Sequence, residues 1–97
     1  MQTEHGKIEG DVEIASELQM HGMFTGNVVV KDGGYLLLHG MATKDLIIEQ
    51  GAIAEVPGMV TGNIINNGGK LTVTGMVSGK VIKNAGETHI LPNASIG

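Results

Sequence analysis

One ten-residue phrase returns along the chain at a nearly constant interval, and this repeat limits the fold more than any other feature. The segment His21-Gly22-Met23-Phe24-Thr25-Gly26-Asn27-Val28-Val29-Val30 comes back as His39 to Ile48, as Pro57 to Asn66 and as Thr74 to Lys83. A degenerate first copy runs from His5 to Ile14, and a sixth begins at Pro92. The anchors Gly6, Gly22, Gly40, Gly58, Gly75 and Asn93 lie 16, 18, 18, 17 and 18 residues apart. Such a period is too short for helical repeats of roughly 30 residues or more, and the Leu and Asn framework of leucine-rich repeats is missing. Three short strands and three corners use it up. Stacking successive copies in parallel pairs every strand with its equivalents above and below. The expected fold is all-β: one domain over 1–97, a three-sided parallel β-helix of about five coils of 16–18 residues. A right-handed coil is expected, because crossovers between parallel strands are almost always right-handed.

Composition agrees. There are 16 glycines for tight corners, which are expected to need backbone angles strained for other residues, and the apolar residues are mostly Val, Ile, Leu and Met. Aligned columns separate inside from outside. Ile8, Phe24, Ala42, Val60 and Val77 form one inward column, and Val12, Val28, Leu46, Ile64 and Val81 a second. The third strand supplies Leu18, Leu36, Ala54 and Leu71, and two residues on Met20, Leu38, Val56, Val73 and Leu91. Piled apolar columns make one continuous core.

Alternation points the neighbours outward. Met23, Met41, Met59 and Met76 form one ladder, with Thr25, Thr43, Thr61 and Ser78 beside it. Val29, Ile47, Ile65 and Ile82 form a second. Exposed apolar patches mark interaction surfaces, and flexible thioethers suit a protein-binding face. The alternative is that a small, distorted coil tucks some of these side chains inward. Charge is also uneven. Residues 1–17 carry Glu4, Glu9, Asp11, Glu13 and Glu17 against Lys7, whereas 66–97 carry Lys70, Lys80 and Lys83 against Glu87. Glu9, Asp11 and Glu13 at one end, and Lys80 and Lys83 at the other, are the candidates for a head-to-tail contact between copies. A polar cap that keeps the solenoid soluble explains the acidic first coil equally well.

Chemistry is sparse. No cysteine is present, which removes disulfides and zinc-thiolate sites. His5, His21 and His39 share one corner column and could stack in a row, but no carboxylate joins them and Pro57 ends the column. They are read as corner residues, with no metal and no cofactor expected. Asp32-Gly33-Gly34 and Asn67-Gly68-Gly69 lack the helix and the Lys-Ser/Thr pair of a phosphate loop. Hexapeptide acyltransferases share the 18-residue coil, yet their three small hexapeptides per coil and their extra loop or helix are missing. A Thr-x-Thr ice-binding array is broken by the Met column. No enzyme is expected. The net charge of −4 argues against nucleic acid, no apolar run approaches a membrane span, and the polar start lacks a signal peptide's apolar stretch, so a cytoplasmic protein is expected.

The stretches Gly6-Lys7-Ile8-Glu9-Gly10-Asp11-Val12, Gly22 to Val28, Gly58 to Ile64 and Gly75 to Val81 follow Gly-x-Val-x-Gly-Asn/Asp-Val/Ile. This pattern resembles that of the bactofilins, bacterial polymer-forming cytoskeletal proteins. The resemblance spans nearly the whole chain and implies a right-handed, three-sided β-helix that self-assembles without nucleotide. Bactofilins typically carry flanking tails that these 97 residues lack, and the outward ladders here are unusually apolar. Those departures open a second expectation: a stand-alone protein binder, for instance an immunity protein whose acidity suits a basic toxin. The expected partner is a further copy of the chain, or such a toxin.

Overall fold

The computed structural model describes residues 2–97 and is a parallel β-solenoid of about six turns, with no helix among those residues. Each turn lays down strands on three faces. The first face is a six-stranded sheet of β2 (Lys7–Ile8), β5 (Met23–Phe24), β8 (Met41–Ala42), β11 (Met59–Val60), β13 (Met76–Val77) and β15 (Ser95–Ile96). The second carries β3 (Val12–Ile14), β6 (Val28–Val30) and β9 (Leu46–Ile48), and the third β1 (Gln2–Glu4), β4 (Glu17–Met20), β7 (Tyr35–Leu38) and β10 (Ile53–Val56). In the upper turns β12 (Ile64–Val73) and β14 (Val81–Ile90) run through the corner between these two faces and join them into one nine-stranded sheet. The body measures 28 × 25 × 20 Å, a squat prism and not a long rod.

Register confirms the columns. Met23, Met41, Met59 and Met76 are successive Cα partners, as are Val28, Leu46, Ile64 and Val81. Phe24, Ala42, Val60 and Val77 are buried, with Leu36, Ala54, Leu71, Met20, Leu38, Val56 and Val73 on the third face. Ile8, Val12 and Leu18, in the lower coils, are only half-buried. One inward column escaped the sequence reading: Ile14, Val30 and Ile48, at the end of the second face, are buried and lead to Asn66. Leu91 was placed under Val73, but Val73 pairs with Ile90. The cause is a 17-residue step, already set where Met59 meets Met76, broken by a bulge at Asn67 and restored from Lys70–Glu87 to the end of β14.

The anchor glycines also need a different explanation. A left-handed φ is found at Gly10 and at Gly33, Gly51, Gly68 and Gly86, whereas Gly22, Gly40, Gly58 and Gly75 have none. Their constraint is space. A Cβ on Gly22 would stand 1.7 Å from the Gly6 carbonyl oxygen, and one on Gly75 1.9 Å from that of Gly58. Coils at this corner touch backbone to backbone. At the next corner, Asn27 N–H donates to Asp11 Oδ1 (2.8 Å), Asp45 N–H to Asn27 Oδ1 (3.2 Å), Asn63 N–H to Asp45 Oδ1 (2.9 Å) and Lys80 N–H to Asn63 Oδ1 (2.8 Å). This ladder is the physical reason for Asn or Asp after the second glycine of the repeat: a short side-chain acceptor satisfies a corner N–H one coil up.

Among the described residues Asn66 is the one buried polar side chain, and it is fully satisfied. Its Oδ1 accepts from the Gly68 and Gly69 N–H groups at 3.1 and 2.8 Å, and its Nδ2 donates to the carbonyls of Gly69 and Glu87 and to Thr88 Oγ1. It therefore fixes the bend in β12 and ties the fourth coil to the fifth.

Candidate functional site

The first face ends at a corner where His5, His21, His39, Pro57, Thr74 and Asn93 follow one another up the solenoid; because Ser95 pairs with Met76, Ala94 and not the expected Asn93 takes the place of the anchor glycine in the last coil. The imidazoles stack, with ring centroids 5.0 Å apart for His5–His21 and 4.8 Å for His21–His39, and interplanar angles of 14° and 3°. Loss of water around the ring, then repulsion from His39 and from His5, lowers the His21 pKa from its ordinary 6.5. Beside the stack runs the Met ladder, separated from it by the anchor glycines. Since no glycine side chain fills the space, the Met column on one side and His5 and His39 on the other wall a shallow groove of about 890 Å³ that passes from His5 and Lys7 to Asn93 and Ser95.

The sequence reading placed Met23, Met41, Met59 and Met76 outward, and none of them is buried; Met76 is the most open, at 44%. Val29, Ile47 and Ile65 are half-exposed, and Ile82 is open. Both ladders therefore reach the surface, and the inward alternative does not apply to them. The Thr column behaves differently. Thr43 Oγ1 donates to the Phe24 carbonyl at 3.0 Å and Thr61 Oγ1 to the Thr43 carbonyl at 2.6 Å, while Thr25 Oγ1 accepts from the Gly10 N–H at 3.2 Å. These hydroxyls fasten one coil to the next and present no free array.

The two ends of the solenoid differ. Within the described residues, β1, β2 and β3 at one end, and β14 and β15 at the other, are paired along one edge only. At the first end Gln2 lies over Leu18 and Glu4 over Met20, so polar residues close the third-face columns. At the last end the columns through Val77 and Val73 stay apolar, closing in Ile96 and Ile90, while Lys83 lies over Asn66 and Thr88 over Leu71; Ile82, Ile90, Leu91 and Ile96 are 37 to 40% exposed. Of the charged candidates, Asp11 is engaged in the Asn/Asp ladder. Glu13 and Glu49 flank Lys31 at 3.9 and 3.5 Å. Glu9, Lys80 and Lys83 are exposed, with no ion pair among the described residues.

Sequence reasoning missed the apolar last coil, because the columns were read for what they bury and not for where burial stops. Among the described residues no three His, Cys, Asp or Glu side chains gather as a metal site, and no helix is long and apolar enough to cross a membrane. No family model, curated protein or solved structure matches the chain.

Proposed function

We propose that this chain is a non-enzymatic assembly module that joins copies of itself end to end, in the manner of a bactofilin. One observation carries the reading: the last coil offers both unpaired strand edges and, on top of two core columns, the open side chains of Ile90 and Ile96. Edges of this kind template further strands. The complementary surface is the first coil of another copy, whose edges β1, β2 and β3 are free on one side and whose Glu9 faces solvent. An acidic first coil against a coil bearing Lys80 and Lys83 sets the direction of addition. A heterologous contact of this kind gives open filaments unless its rotation closes a ring.

Light scattering of the purified chain over a micromolar concentration series tests this. Mass is expected to grow with concentration, and the double change Ile90→Lys with Ile96→Lys is expected to hold the protein as a folded monomer. Met41→Lys and Met59→Lys, on the lateral face, are expected to leave end-on growth intact. A monomer at every concentration would move the reading to the second one, a cytoplasmic binder of a basic partner such as a toxin. That reading is supported by the net charge of −4 and by the half-exposed Val29, Ile47 and Ile65 ladder.

A further inference from the structure

Two side-chain columns of soft or borderline metal donors share the groove of the first face, and assembly makes no use of them. One is the Met ladder and the other the His stack. Neighbouring thioethers are held in register, because Met23 and Met41 are direct Cα partners on paired strands. The rise between coils at this corner is read from the stacked rings, 4.8 Å from His21 to His39. Two metal–sulfur bonds of about 2.3 Å placed in line span roughly that distance.

We propose that the groove binds one soft monovalent cation, Cu(I) or its analogue Ag(I), between the thioethers of Met23 and Met41, with an imidazole nitrogen of the adjoining His column completing the site. This inference does not rest on the assembly reading.

Donor chemistry selects the ion. Uncharged thioether and imidazole ligands suit Cu(I), whereas Mg²⁺ and Ca²⁺ need oxygen donors, which are not gathered here. Position selects the rung. Lys7 takes the Met place one coil below and would repel a cation between itself and Met23. Above, Pro57 and Thr74 replace His beside Met59 and Met76, so the Met59–Met76 rung lacks a nitrogen and the Met41–Met59 rung has only that of His39. Only the step from the second coil to the third has two thioethers with a histidine beside each. The stacked rings themselves do not pinch an ion between their faces, because imidazole lone pairs lie in the ring plane; the donor must be a ring edge turned to the groove, which His39 lines.

The test is an Ag(I) titration of the full chain in chloride-free buffer, followed through the methionine methyl signals by NMR and through heat by calorimetry. Shifts are expected at Met23 and Met41, saturating at one ion per chain, with Met76 unmoved. Met41→Leu keeps the shape of an outward side chain and is expected to weaken Ag(I) binding at least tenfold, while Met76→Leu leaves it unchanged. Circular dichroism of each variant checks that the fold persists. Unchanged affinity in Met41→Leu, equal shifts at Met59 and Met76, or no saturable binding at all would each overturn the proposal.

Discussion

Gly40 sits directly on Gly22: a Cβ on Gly40 would stand 1.9 Å from the Gly22 carbonyl oxygen, which already accepts the Met41 N–H at 3.0 Å. Adding even a methyl group therefore breaks an inter-coil hydrogen bond and pushes two backbones apart. Gly40→Ala is expected to cost about 3 kcal/mol or more, the upper range for overpacking. Gly33→Ala is the comparison, since its Cβ would meet nothing nearer than 3.8 Å and only its φ of +82° is lost. That cost is roughly 1–2 kcal/mol. Urea denaturation of both variants checks the order, and equal losses would show that backbone angle, not space, dictates the anchor column.

Asn66 holds the bend in β12 through both ends of its amide. Asn66→Ala leaves the buried Gly69 N–H without an acceptor, and one orphaned group of this kind costs about 1–3 kcal/mol. The expected result is a fall in the denaturation midpoint with faster amide exchange at Gly68 and Gly69. Protection that is unchanged at those two amides would mean that the corner is held by other contacts.

The His stack makes stability depend on pH. In the folded state His21 has a pKa below its ordinary 6.5, so the unfolded chain binds the proton more readily. This contribution is fully present above about pH 6.5 and is lost as the pH falls through the lowered folded value. Urea midpoints are expected to drop between pH 7.5 and pH 5.5, and His21→Gln is expected to flatten that dependence. An NMR titration of the His21 ring gives the direct check.

At the other end of the scale, Tyr35 donates its hydroxyl proton to Glu55 Oε2. That hydrogen bond first, then desolvation and the charges of Glu55 and Glu17, raise the Tyr35 pKa above 10.0. A raised value favours the neutral folded form, so this contribution is present below pH 10.0 and is lost as the pH rises through the folded value. Glu55→Gln is expected to move the ultraviolet titration of Tyr35 back towards its ordinary range.

Most of the fold was legible because a solenoid converts sequence period directly into spatial columns. The glycine spacing located the corners, and the places of Phe24, Leu36 and Met41 followed by alternation. Side-chain hydrogen bonding across coils was less legible. Nothing in the composition distinguishes a threonine facing water from Thr43, whose hydroxyl reaches the Phe24 carbonyl, and Asn66 reads as a corner residue until its column is seen to be buried. The slip at Leu91 has a related cause: one residue lost from a period leaves the pattern recognisable but moves the register by a full side-chain alternation. Of the site, the ladders and the His row were readable as columns. The groove between them was not, since it exists only because glycines leave that corner empty.

End-on assembly is tested most directly by electron cryo-microscopy of the chain at concentrations where its mass grows. The expected result is a filament whose strands run across the axis, with a coil rise of about 4.8 Å continuing unbroken from one copy into the next. Filaments joined through the Met or Ile faces with their coil ends left open, or particles of single-chain size at every concentration, would contradict it.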